Sequence, residues 1–490
     1  MNPVTDAEPT QLLLGYLTGA RWFAGKGRQA ELARVTALPW LTDAEAWPAV
    51  RFELAEVHYP VGASATDEGG PAADTELYQL ALSYWPQPQP GLAHAEVGRL
   101  AHPELGSVVV YDAMQDPRAC TLVLEHFLKP RRFSSDSARV SFHLVTADVL
   151  TSDLEPRIYT GQQSNTSVMY GEVAMLKLFR RLEIGHNLDI EVHESLSRSG
   201  VGDVAQLYGF VEATWDNPAS DGPDTLTADL GMVVEKLAEA EDGWELALGE
   251  LRQGRDFREQ SRALGRALAE IHLALREAFP TGEVAGQQVA ETMARRLDAA
   301  AGVAEDLGPL LRGLRSAFGT LSGETLATQR VHGDFHLGQT LMTPSGWKII
   351  DFEGEPVKSL AERAEPDSVW RDIAGMLRSF DYAAASVPGP SSQAWADACR
   401  AAFLQGYVDG PLDAADEAVL TAYVADKAVY EVVYEVRNRP DWVSIPLAAV
   451  SRIADAGLSQ DSTPAPAGAT DAAAESAAPT TPAPSASVKE

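Results

Sequence analysis

Val331–Glu355 reads VHGDFHLGQTLMTPSGWKIIDFEGE. Asp334 follows His332-Gly333, a pair suited to a tight turn that aims the carboxylate into a cleft. Asp351 ends the apolar run Trp347–Ile350, which reads as a short strand presenting it in the same cleft. A hairpin-sized interval separates the two carboxylates. Phosphoryl transfer to a hydroxyl needs such a pair, one to accept the hydroxyl proton and one to hold a cation that bridges the phosphates. Two capping or turn aspartates are the bland alternative, and Asp-Phe by itself is common. The whole segment, with its spacing, favours chemistry.

The protein-kinase pattern H-R-D-x-x-x-x-N followed by D-F-G is the nearest template. Gln339 stands in the place of the Asn, and Asp351-Phe352-Glu353 in the place of D-F-G. The H-G-D form resembles the aminoglycoside phosphotransferase group of small-molecule kinases. That resemblance implies ATP as donor and Mg2+ as cofactor. It makes Asp334 the catalytic base, Gln339 and Asp351 magnesium ligands, and Glu353 a further metal or substrate contact.

Such an enzyme needs a phosphate-covering turn and a lysine upstream. Thr160–Val168, TGQQSNTSV, is a polar turn between two strands, and it is not a Walker loop. Its backbone N–H groups, with Ser164, Asn165, Thr166 and Ser167, are placed to cradle phosphates. Lys177 follows inside the apolar strand VAMLKLF. A lysine there is costly to bury unless paired. The phosphates and a helix glutamate, Glu191 in preference to Glu194, are the expected partners. The alternative is the solvent face of an edge strand. By analogy of position, the backbone around Val233 and Glu235 in GMVVEKL would hydrogen-bond adenine.

Near the C-terminus, Lys427, Tyr430, Glu431 and Tyr434 fall at offsets of 3, 4 and 7, on one helix face. Rings that pack on a pyranose, with charges for its hydroxyls, suit a sugar. An i,i+4 Lys–Glu surface pair flanked by tyrosines is the alternative.

The chain has 490 residues, with 39 Lys and Arg against 70 Asp and Glu, a formal net charge of -31. That balance argues against nucleic acid and anionic membranes as partners. Two cysteines, Cys120 and Cys399, give neither a metal spacing nor a disulfide framework. No signal peptide or membrane-length apolar run is visible, so a cytoplasmic location is expected. The first half alternates like strands, at 51–60, 76–85, 107–114, 120–128, 157–179, 204–215 and 231–238. From about Gly243 the periodicity is helical. These patterns predict an α+β chain with two lobes. The kinase resemblance implies a bilobal protein-kinase-like fold, with a cap subdomain expected over 1–91, a strand-rich N-lobe over 92–240 and an all-helical C-lobe over 241–458. Residues 459–490, rich in Ala, Pro, Ser and Thr, read as a disordered tail.

With RDIAGMLRSFDYA (371–383), YEVVYEVRNRPDWVSIPL (430–447), RWFAGKGR (21–28) and QQSNTSV added, the chain resembles the actinobacterial maltokinases. The resemblance implies ATP-dependent phosphorylation of maltose at its anomeric hydroxyl, serving α-glucan (glycogen) synthesis from trehalose. It places His332, Asp334, Lys427, Tyr430, Glu431 and Tyr434 on the sugar. It also admits a complex with trehalose synthase through the basic, aromatic patch Arg21, Trp22, Lys26 and Arg28. A structural turn within the cap is the alternative for that patch. A kinase of another sugar, such as glucosamine, shares the same core, although Lys427 would repel an ammonium group. An inactive kinase-fold scaffold is the third possibility, and intact Lys177, Asp334 and Asp351 argue against it.

Overall fold

The computed structural model describes residues 9–43, 45–60, 75–146, 149–159, 165–217, 224–355, 358–408 and 410–461. Ser164, most of the phosphate turn, the 61–74 loop and the tail beyond 461 lie outside them.

Two antiparallel sheets make up the first half. In the first, Glu31–Trp40, Ala49–His58, Thr75–Trp85, Gly106–Asp112 and Glu96–His102 pair in that order. The expected cap boundary at 91 cuts this sheet, because Gly106–Asp112 pairs with Thr75–Trp85. Both faces of the sheet are covered, as successive side chains point opposite ways. Ala55, Val57 and Leu82 join Leu13 and Leu17 of helix Pro9–Gly19 in one cluster. Phe52 and Leu54 join the core of the second sheet.

The second sheet runs Arg132–Ser134, Ala138–Leu144, Leu207–Asp216, Thr225–Glu235, Ala174–Leu178, Thr166–Tyr170 and Pro156–Ile158. Cys120–Leu128, expected as a strand, belongs to helix Pro117–Leu128. Asp116 caps it by accepting from the Arg118 N–H, and Pro117 takes the first turn, where no N–H partner is needed. Cys120, Val123, Leu124 and Phe127 then form one buried stripe at spacings of three and four.

The second half is helical: Arg258–Ala278, Gly286–Ala301, Trp370–Ser386, Ser392–Tyr407, Ala414–Asn438 and Ser444–Asp461 surround one core. It is not all-helical, since Thr340–Thr343 and Gly346–Ile349 form the hairpin between the two aspartates. The lobes meet behind it, where the Ile349 N–H donates to the Asp203 carbonyl at 2.7 Å. Among the described residues no helix is long and apolar enough to cross a membrane.

In the cap segment 21–28, Trp22 lies 4.8 Å beneath the Arg180 guanidinium. Arg28 is nearly buried over the Tyr59 ring and pairs with Glu76. Arg28 thus serves the cap's own packing and Trp22 its seam with the kinase lobe, while Arg21 and Lys26 stay exposed.

Candidate active site

Lys177 stands on Ala174–Leu178, the fifth of the seven strands in the second sheet, with its ammonium among the acids of the aspartate loop. Its partner corrects the expectation of Glu191. Lys177 Nζ lies 3.0 Å from Asp189 Oδ2, 3.6 Å from Glu353 and 3.9 Å from Asp351. The cause is the helix start. Asn187 caps Leu188–Ser199 by accepting from the Asp189 and Ile190 N–H groups. Asp189, in the first turn, therefore faces the strand. Glu191, two residues on and about 200° around the axis, reaches Arg330 at 3.1 Å instead. Glu194 bonds Arg198 in its own helix.

Asp189 also accepts the Phe352 N–H at 2.9 Å, tying the helix to the aspartate loop. Burial opposes the charge on Lys177, but Asp189, Glu353 and Asp351 outweigh it and hold the ammonium above its ordinary value. Asp351 has φ +68°, left-handed backbone that a short polar side chain tolerates. Carboxylate oxygens of Asp189, Asp351 and Glu353 lie within 4.8 Å of one another. Burial and the two neighbouring carboxylates raise Glu353, with Lys177 only partly offsetting them. Oxygen donors with excess negative charge fit a hard divalent cation such as Mg2+. Gln339 borders the group through its backbone, accepting the Ile350 N–H at 3.0 Å.

The catalytic loop is held from below. Asp372, fully buried, accepts the His332 N–H at 2.7 Å, the Gly333 N–H at 2.8 Å and His272 Nε2–H at 2.9 Å. Gly333 turns the chain at φ +87°. Helix Trp370–Ser386 approaches so closely that a Cβ on Gly375 would lie 2.5 Å from the Phe335 carbonyl oxygen. His332, expected on the sugar, is part of this support. It is 2 % exposed, with Nε2 bonded to the Ile350 carbonyl at 3.0 Å and Nδ1 accepting from the Asp334 N–H at 3.4 Å.

Asp334 projects upward, and Lys427 Nζ donates to it at 3.2 Å. Burial pushes the Asp334 carboxyl up, but Lys427 heads the groups that outweigh it and hold it below its ordinary value. The two open into a cavity of about 620 Å³. Tyr430, Glu431 and Tyr434 line it as the helical offsets predict. Glu431 is not a free charge, because Arg378 donates to it at 2.8 Å from the facing helix.

The cavity also takes residues that sequence reasoning passed over: Trp244, His336, Tyr382, Glu435, Arg439 and Trp442. Tyr382 and Trp442 stack at 6.3 Å and 17°. Arg439 pairs with Glu435 at 2.6 Å and lies over the Tyr434 and Trp442 rings. Continuing the Tyr430–Tyr434 spacing past the end of helix Ala414–Asn438 would have reached Trp442. Nothing in the sequence marks Trp244.

On the nucleotide side, several residues stand elsewhere than expected. Alternation puts Ser167 on the Lys177 face, opposite it in register, and Thr166 on the other face beside Leu178. The Thr166 hydroxyl accepts from Arg180 at 2.7 Å and so is turned from the cleft. Asn165 lines a second cavity with Asp351 and Glu353. Val233 pairs on both sides, with Leu176 and Gly209, and the Glu235 N–H donates to Gln206 at 2.8 Å. The sheet takes up Val233 and the Glu235 N–H, so these groups do not serve adenine as expected.

A strand-rich lobe with a buried lysine, a helical lobe with a supported aspartate, and a carboxylate cluster between them define a kinase-fold phosphotransferase. Residues 225–420 match the phosphotransferase enzyme family. Residues 16–116 match the maltokinase N-terminal cap domain. The chain therefore joins a maltokinase-type cap to an aminoglycoside-phosphotransferase-like kinase. It is 28 % identical to a glucosamine kinase of Mycolicibacterium smegmatis over 330 residues, 62 % of this chain and 80 % of that one. A glucosamine kinase of Streptacidiphilus jiangxiensis is 28 % identical over 319 residues, 58 % of this chain and 70 % of that one. A solved glucosamine kinase, in complex with glucosamine, ADP and inorganic phosphate, superimposes with a TM-score of 0.61 at 19 % identity. That match covers 92 % of this chain and 100 % of the other, and it shows a shared fold.

Proposed function

We propose that the protein transfers the γ-phosphoryl group of ATP to the anomeric C1 hydroxyl of maltose, giving maltose 1-phosphate and ADP. The observation that carries this reading is the cavity on the far side of Asp334 from Lys177. It is walled by one helix from Lys427 to Glu435, about 12 Å at the helical rise. That is longer than one pyranose ring needs, and its lining alternates rings with hydrogen-bonding groups, as a disaccharide requires.

Asp334, held ionised by Lys427, accepts the hydroxyl proton as the oxygen attacks. Lys177, fixed by Asp189, faces the phosphates and offsets their charge. Asp351 and Glu353, with Gln339 beside them, would hold Mg2+, which supplies further charge compensation on the transferring group. Tyr430, Tyr434 and the Arg378-paired Glu431 orient the sugar. A complex with trehalose synthase, if it uses the cap's basic segment, would draw on Arg21 and Lys26.

Glucosamine phosphorylation is the second reading, favoured by the names of the relatives. An ammonium group seeks a free carboxylate, and in this cavity Arg378 and Arg439 already neutralise Glu431 and Glu435. ADP release measured with maltose, glucose and glucosamine, with the phosphorylated position read by NMR, separates the readings. Maltose should give the highest kcat/KM. A higher value for glucosamine would replace the first reading with the second, and no ADP release from any sugar would leave a scaffold.

A further inference from the structure

The catalytic loop carries a second histidine, His336, two residues past Asp334. Its ring lines the large cavity together with Asp334 and Lys427. The same ring caps the short turn Leu337–Gln339, with Nδ1 accepting the Gly338 N–H at 3.1 Å. A backbone N–H only donates, so Nδ1 must carry the lone pair and Nε2 the proton. Burial lowers the ring below its ordinary value, and Lys427 and His332 act with it against Asp334 and Asp351. Glycine at 338 leaves the ring room, since a Cβ there would make tight contacts of 3.0 Å with His336 Cε1 and 3.1 Å with Nδ1. Among the described residues, no acceptor meets Nε2.

The backbone thus fixes a neutral N–H donor beside an ionised carboxylate. Asp334 can only accept, and one of the three Lys427 N–H groups is directed at it. A sugar carbon bearing a reactive hydroxyl has a second oxygen close by, a ring oxygen or a neighbouring hydroxyl, whose lone pairs need a donor.

We propose that His336, and not His332, is the histidine of the acceptor site. Its Nε2–H donates to the sugar oxygen adjacent to the hydroxyl that Asp334 deprotonates. This rests on the sugar-kinase reading above.

Two variants separate binding from loop support. His336→Asn keeps an acceptor at the Nδ1 position for Gly338 and removes the donor at Nε2. His336→Gln keeps a donor amide near Nε2 and gives up the cap. With the full-length protein and the sugar that wild type uses best, His336→Asn should raise the sugar KM about tenfold, the loss of one hydrogen bond. The ATP KM and Tm should stay unchanged. His336→Gln should lie nearer wild type in sugar KM but melt lower. Nitrogen-15 NMR of the wild-type ring at neutral pH should show the Nε2-protonated tautomer.

An unchanged sugar KM in His336→Asn overturns the assignment. So does a parallel rise in both KM values with a lower Tm, or an Nδ1-protonated or doubly protonated ring. Wild type run alongside distinguishes the two levels. Wild type active with His336→Asn unaffected sinks only the histidine's role, whereas wild type inactive on every sugar takes down both.

Discussion

Asp334 keeps its charge where burial opposes it, because Lys427 stands 3.2 Å away. Two predictions belong to this pair. Asp334→Asn should cut kcat by about 10²–10⁴-fold, the usual worth of a general base, while the thermal melt stays that of a folded protein. Near-normal turnover in an ADP-release assay would remove Asp334 from the base role. Lys427→Met leaves burial, the largest influence on Asp334, without its main counterweight. The carboxyl then moves up, and the acid limb of the kcat/KM profile should move to higher pH. A limb that stays in place would show that Lys427 does not set the ionisation of Asp334. The two aspartates were legible in the sequence because motif and spacing both marked them. Which histidine faces the cavity was not, because that depends on Asp372 and the Ile350 carbonyl, supplied by distant segments.

The start of helix Leu188–Ser199 decides which acid meets Lys177. Asp189→Ala should leave the lysine short of its nearest partner and the Phe352 N–H without an acceptor. Breaking such a buried pair costs about 3–5 kcal/mol, measurable by urea unfolding, and the ATP KM should rise with it. Glu191, 35 % exposed against Arg330, should cost about 0–1 kcal/mol when changed to Ala. Equal losses from the two variants would reverse the assignment. The pH dependence has a definite sign. The folded-state pKa of Asp189 is depressed: burial opposes its charge, and Lys177 and His193 outweigh it. Its contribution to stability is therefore present above the ordinary carboxyl range and lost as pH falls below it. Cys120–Leu128 shows the converse limit of periodicity. Its dense apolar run reads as a strand, and the Asp116-Pro117 start together with a stripe buried at spacings of three and four goes with a helix instead.

Across the whole molecule, Arg180 joins the cap to the kinase lobe. It is fully buried, donates to both Asp112 oxygens at 3.0 and 2.8 Å, and holds Thr166 at 2.7 Å. Tyr16 of the first helix donates to the same Asp112 at 2.5 Å. Arg180→Leu should strand that carboxylate, cost about 3–5 kcal/mol, and lower Tm. Faster protease cleavage within residues 9–116 should accompany the lower Tm. An unchanged melt would mean that the cap is held by its apolar face alone.

The sequence by itself determined the two-lobe division, the hairpin carrying Asp334 and Asp351, the buried strand of Lys177 and the helix face Lys427–Tyr434. Each of these is a local pattern of period, spacing or turn chemistry. The tertiary structure decided the partners: Asp189 for Lys177, Arg378 for Glu431, Asp372 beneath His332, and Trp244 and Trp442 in one cavity wall with Tyr430. Those pairings join residues far apart in the chain. Their geometry follows from how helix starts and sheet faces pack, which no local pattern encodes.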